Sequence, residues 1–155
     1  MRLTKQLSQK GTSIVIRRKE RIVNGELMFI RFVSSEIDER SRVSAGLFCA
    51  ASRLRWADDL PEYEFDAVTE LKKWFNIHLE SPFDHLSRRS RYDRAVCWFK
   101  PTAHEHLARA WEMIMILERN DILIWTIKSQ RTGYIHYEDD AQVFAEPYDD
   151  VRRLL

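Results

Sequence analysis

Glycine is scarce, with four in 155 residues, and that scarcity argues against a good deal of chemistry. A loop that cradles phosphate through its backbone amides needs glycine for close approach to the anion. None of the patterns GxGxxG, GxxxxGK[ST] or GxSxG occurs, so hydride transfer on a dinucleotide and P-loop nucleotide hydrolysis are poor readings. Cysteine is scarcer still. Cys49 and Cys97 each sit in an apolar run, without a CxxC or HExxH pattern, so no metal site is legible and no cofactor is called for. Both thiols read as buried and reduced. A disulfide between them would need an oxidising compartment, and the basic start of the chain is not followed by the roughly 7–15 apolar residues of a secretory leader. Long hydrophobic runs are missing too: stretches such as 27–30 and 113–117 fall far below the roughly 18 residues that span a bilayer. The expectation is a cytoplasmic protein with no membrane partner. Charge of one sign is also lacking. With 25 basic and 24 acidic side chains the net charge is +1, which selects no class of partner.

What is present is strand and helix periodicity. Residues 121–147 contain three runs rich in β-branched and aromatic residues, separated by two polar turns, one holding Gly133. That spacing predicts a three-stranded antiparallel meander. Residues 27–33 alternate, with Met28, Ile30 and Phe32 on one face and Phe29, Arg31 and Val33 on the other, until Ser34 and Ser35 break the pattern. From 36 to 57 the period becomes helical, with Val43, Leu47, Ala50, Ala51 and Leu54 as one stripe, Gly46 inside it and Ser41 or Asp38 as its cap. Pro61 opens a second helix, striped by Phe65, Val68, Leu71, Phe75 and Leu79, and the two read as an αα-hairpin. A buried strand follows at 95–99. Thr102 and Glu105 form a capping box ahead of Leu107, Ala110, Trp111, Ile114 and Leu117. The expected fold is α+β, one domain over 27–147, with a mainly antiparallel sheet ending in the meander and about three helices on one face. Residues 1–26 are either a basic extension or an added hairpin, with 14–16 or 21–23 pairing onto 27–33; residues 148–155 are a tail.

Three constellations are candidates for chemistry. His104 and His106 lie two apart, which on a helix separates them by about 200° and prevents them from sharing a metal; His104 alone remains a candidate general base. In the meander, Tyr134, His136 and Glu138 share a strand face; with Asp139-Asp140 as a two-residue turn, His136 pairs across from Val143 and Tyr137 from Gln142, and a His–Glu pair there is a possible base with an orienting carboxylate. The run Arg88, Arg89, Arg91, Tyr92 and Arg94 offers guanidinium groups for phosphate and a ring for stacking, with Lys19 and Arg21 in support. Each has a plain alternative, a solvated helix end, a wet sheet face or a charged loop. Trp56, just past a helical stripe, is the candidate exposed anchor.

The run 131–147, with Arg131, Gly133, Tyr134, Ile135, Tyr137, Glu138, Asp139, Gln142, Val143, Ala145, Glu146 and Pro147, resembles a group of small uncharacterised bacterial proteins, as does Cys97-Trp98-Phe99-Lys100 leading into Thr102, Glu105 and His106. Those proteins carry proline where Thr132 stands. The resemblance covers mainly 95–147 and implies a bacterial origin and no mechanism. The residues therefore support a non-catalytic binding domain whose partner is another protein or a second copy of the chain, pairing at an open edge of the meander. The alternatives are nucleic-acid or phosphorylated-ligand binding through the loop 88–94, and a small enzyme with His136 or His104 as base. For the nucleic-acid alternative, affinity for generic DNA or RNA falls steeply as salt rises; a filter-binding titration at low salt with no retention removes it.

Overall fold

The computed structural model describes residues 28–39, 42–87 and 91–149, and the backbone at 5–9 and 12–17. It is α+β. Eight strands form one antiparallel sheet among these residues: β1 (Lys5–Gln9), β2 (Thr12–Arg17), β3 (Phe29–Ile37), β4 (Ser44–Gly46), β5 (Val96–Phe99), β6 (Ile124–Ser129), β7 (Tyr134–Glu138) and β8 (Gln142–Glu146), with helices α1 (Leu47–Leu54), α2 (Glu62–His78) and α3 (His104–Arg119). The strand order is β1-β2-β6-β3-β5-β8-β7, and β4 pairs with β3 beside β5.

The three C-terminal strands lie where the periodicity puts them, but they are divided within the sheet. β7 and β8 form a hairpin, whereas β6 pairs with β2 and β3, so β3 and β5 stand between β6 and β8. The N-terminal hairpin extends the sheet through β2 on β6, with Ile14 opposite Ser129 and Arg17 opposite Thr126, not through 27–33 as the sequence suggested; residues 21–23 lie outside the described ones.

Ser34 and Ser35 do not end β3, which runs on to Ile37. Ser34 is buried, and its hydroxyl donates to the Ala45 carbonyl at 3.3 Å, so a side chain that looks like a breaker ties β3 to β4. The helix expected over 36–57 is correspondingly shorter. A turn in which the Asp38 amide donates to the Val43 carbonyl, with Arg42 at φ 61°, leads into β4. Gly46 is the N-cap of α1, without a side-chain cap; Asp38 does not cap it, and Ser41 lies outside the described residues. Val43 belongs to the opposite face, packed with Val33, Val96, Trp98 and Ile127, so its helical spacing from Leu47 is coincidental. Likewise Thr102 does not cap α3, whose N-cap is Ala103 with no side-chain bond. Cys49 is exposed on α1, since Leu47, Ala50 and Ala51 take the buried positions.

One face of the sheet carries Ile30, Phe32, Phe99 and Ile124 beneath all three helices. Period-2 alternation places these residues on the same side. α3 lies against both α1 and α2, with Trp111 edge-on to Phe32 at 5.1 Å. α1 and α2 meet through Phe48 and Phe75, whose centroids are 4.9 Å apart. Phe65, assigned to the buried stripe, is exposed and lies under Arg55, 5.3 Å from its guanidinium carbon. The buried position is instead taken by Glu64, 4% exposed.

Glu64 ties the start of α2 to the end of α3. Asn120 Nδ2 donates to its Oε2 at 2.7 Å and Arg119 Nε to its Oε1 at 2.9 Å. Asn120 and then Arg119 hold the carboxyl below the ordinary carboxylate range, against the opposing effect of burial. A depressed folded-state value means that the stabilisation is present above the unfolded value of about 4.3 and is lost as pH falls below it. Glu64→Gln lowers the midpoint of thermal unfolding at pH 7 by a few degrees, and the gap from the parent narrows as pH falls below about 4. A pH-independent gap in melting scans refutes the charge's part in it.

Candidate functional site: a cleft above a buried arginine

β3 faces two different strands along one edge. Its first half pairs with β5 at Ile30–Phe99, and further on it pairs with β4 at Val33–Gly46. Between these contacts the sheet forks, leaving strand carbonyls without a partner strand. The Arg31 guanidinium fills the fork. Nη1 donates to the Cys97 carbonyl at 3.3 Å and Nη2 to the Ser44 carbonyl at 3.0 Å. Arg31 is 8% exposed, and no carboxylate of the described residues lies within ion-pair distance of it. Burial pushes its value down to about 10, against the opposing influence of Cys97, Cys49 and Asp38, so it remains a cation at neutral pH. Of its five N–H groups two have carbonyl acceptors, and Nε has no partner.

Above this cation, on the helical side of the sheet, lies a cleft of about 360 Å³. Arg31 lines it, together with the first turn of α1 at Gly46, Leu47 and Phe48, the last turns of α2 at Lys72, Phe75 and Asn76, the segment 79–82, and Phe99 and Gln142 from β5 and β8. The α1 turn is uncapped, so its first amides and the positive end of the helix dipole are not satisfied by a local side chain. A Cβ on Gly46 would lie 3.6 Å from Arg31 Nη1, which places the helix start directly against the guanidinium. The walls are aromatic. Phe48, Phe75 and Phe99 form a triangle with centroids 4.9 to 6.4 Å apart. Lys72 stands on α2 in contact with the Ser52 hydroxyl, and burial, then Arg55, lowers its value. A buried cation, an uncapped helix start and apolar walls are the elements of a site for a small anion with an apolar body.

The sites expected from the sequence lie elsewhere. Arg88 and Arg89 are outside the described residues. Arg91 and Arg94 are exposed, and Tyr92 turns inward, its ring edge-on to His136 at 4.9 Å, so it does not offer an open stacking face. Next to the turn, the register of β7 on β8 is shifted by two residues from the one a two-residue Asp139-Asp140 turn would give. Tyr137 pairs with Phe144 and Glu138 with Val143, not Gln142 and beyond, while Ile135 pairs with Ala145, which makes His136 the extra residue of a β-bulge. The bulge breaks the alternation and separates the proposed His–Glu pair. His136 contacts Phe144 and comes within 3.7 Å of Glu146, whereas Glu138 is exposed and pairs with Lys100 at 2.7 Å. His104 is exposed at the start of α3. Neither imidazole lines the cleft, nor the shallower groove of about 650 Å³ between α2 and α3, where Ile77 and Met115 are exposed. Trp56 is 87% exposed, as an anchor would be.

The turn residue Asp139 does more than its spacing indicated. Its Oδ1 accepts from the amides of Ala141 and Gln142 at 2.8 and 2.9 Å, and its Oδ2 from Tyr137 Oη and Gln142 Nε2 at 3.0 and 3.1 Å. Burial would raise this carboxyl, but the four donors outweigh it and hold it low. Burial and the Asp139 contact push Tyr137 up to about 12. Asp139 thereby fixes the Gln142 amide at the edge of the cleft. Scans against protein-family models, curated proteins and solved structures match nothing.

Replacing Arg31 tests the fork. Arg31→Met removes the guanidinium donors from the Cys97 and Ser44 carbonyls, at about 1–3 kcal/mol each, and Arg31→Lys, with one nitrogen in place of a fork, falls between. Urea unfolding that finds the methionine variant as stable as the parent rejects this role.

Proposed function

We propose that the protein is a binding module without chemistry of its own, and that its binding site is the cleft over Arg31, which receives a small organic anion. The observation that carries this reading is the buried guanidinium, which has carbonyl acceptors on two strands and, among the described residues, no carboxylate partner. A buried cation is costly unless paired, and a bound anion in the cleft supplies the missing charge while meeting the first amides of α1, which no side chain caps. The aromatic walls supply the rest of the affinity through apolar burial, at about 25 cal/mol per Å².

On this reading the binding site lies inside the fold and not at the sheet edge. Tyr134 and Ile135 are exposed on β7, yet the bulge at His136 interrupts that edge, and bulges blunt an edge against added strands. The wild-type chain, titrated with benzoate, benzyl alcohol and benzylamine, separates the cases. Benzoate shifts the backbone amide resonances of Leu47 and Phe48 and raises the melting temperature, whereas the neutral and cationic probes do so far less. Absence of any shift at Leu47 and Phe48 with the acid, or equal response to the amine, overturns the reading.

A further inference from the structure

The identity of the anion can be narrowed, on the basis that the cleft is the binding site. Two buried polar groups at it have complementary needs. Arg31 has N–H donors to spare, and Gln142, 1% exposed, has an Oε1 with no donor. The Gln142 amide cannot be turned over to relieve this. Its Nε2 donates to the Glu80 carbonyl at 2.6 Å and to Asp139 Oδ2 at 3.1 Å, and both are acceptors only, so Oε1 is held where it is.

The sheet fixes how far apart these groups are. β5 alone separates β3 from β8, about 10 Å at two strand spacings. Ile30, Phe99 and Gln142 form one row across the three strands, with Arg31 the next residue along from Ile30. The three phenylalanine rings stand over this span. A saturated chain ending in a carboxylate would leave Gln142 Oε1 unpaired. A phosphate dianion would bring its two charges against Glu80, which lines the cleft along with the cations Arg31 and Lys72.

We infer that the cleft takes a single-ring aromatic acid carrying an O–H or N–H donor on the side of the ring away from its carboxylate. The carboxylate sits against Arg31 and the first amides of α1. The ring joins Phe48, Phe75 and Phe99 in edge and offset contacts. The donor bonds to Gln142 Oε1.

Titration calorimetry on the wild-type chain, with four probes, tests this. 4-Hydroxyphenylacetate has both polar ends, phenylacetate lacks the donor, 4-hydroxyphenethyl alcohol lacks the acid, and 4-hydroxyphenyl phosphate carries the extra charge. The first binds tightest. Loss of the acid weakens binding about tenfold or more, and loss of the hydroxyl weakens it by a smaller factor of about threefold to tenfold. Because Arg31 variants disturb the sheet, the position of the carboxylate is read in the parent protein, where 4-hydroxyphenylacetate moves the Arg31 Nε–H resonance. Equal affinity for phenylacetate, or tighter binding of the phosphate, overturns the ligand class and leaves the anion cleft standing. Equal affinity for the alcohol, or an Arg31 resonance that does not move, overturns the placement of the carboxylate. If no acid moves the Leu47 and Phe48 amides, the cleft itself is not the site.

Discussion

A sheet that forks has to satisfy the carbonyls it strands, and here one guanidinium does so. Arg31 bonds the carbonyls of Ser44 and Cys97, which belong to the approach to α1 and to the strand that carries β8. The position of the α1 start, the course of β5 and the opening between them all follow from that side chain. An apolar residue in its place would take these donors from both carbonyls, and a lysine has neither the planarity nor the number of N–H groups to serve two strands at once. The same geometry that closes the fork leaves a cation beneath the cleft, so the fold's repair and the site's charge are one feature.

How much of this can be read from the residues depends on whether the determining contacts are local. The strand and helix periods of 122–129, 104–119 and 62–78 come from burial of one face, and the elements form there. Strand order does not follow from period. β6, β7 and β8 are consecutive in the chain, yet β3 and β5 lie between the first and the last, because β6 pairs with β3 over a long register from Phe29–Ser129 to Ser34–Ile124. Ser34 reads as a breaker because its hydroxyl is polar. Its bond to the Ala45 carbonyl joins positions eleven apart, and no local pattern announces it.

The candidate site follows the same division. The histidines and the arginine-rich loop attract attention as sequence because they are conspicuous in composition, and the structure leaves His104, Arg91 and Arg94 on the surface and His136 at a bulge. Arg31 is the one charged residue in the run Met28-Phe29-Ile30-Arg31-Phe32-Val33, among residues that are all buried or half-buried. A long cationic side chain inside an apolar strand is the signal that was available. Its partners were not, since they are backbone carbonyls at 44 and 97, and carbonyls leave no trace in residue identity.

Asp139 shows how a turn residue sets the far end of the cleft. Two of the bonds it accepts come from amides in its own loop, which is the ordinary work of an aspartate at a turn. The other two come from Tyr137 and from Gln142 Nε2, and the second of these, with the Glu80 carbonyl, forces the Gln142 carbonyl oxygen to remain unpaired in a buried position. A buried amide oxygen without a donor is destabilising to the free protein, just as a buried guanidinium without a carboxylate is. A fold that keeps both beside three aromatic rings has a donor and an acceptor that the proposed ligand, with complementary ends, would satisfy together.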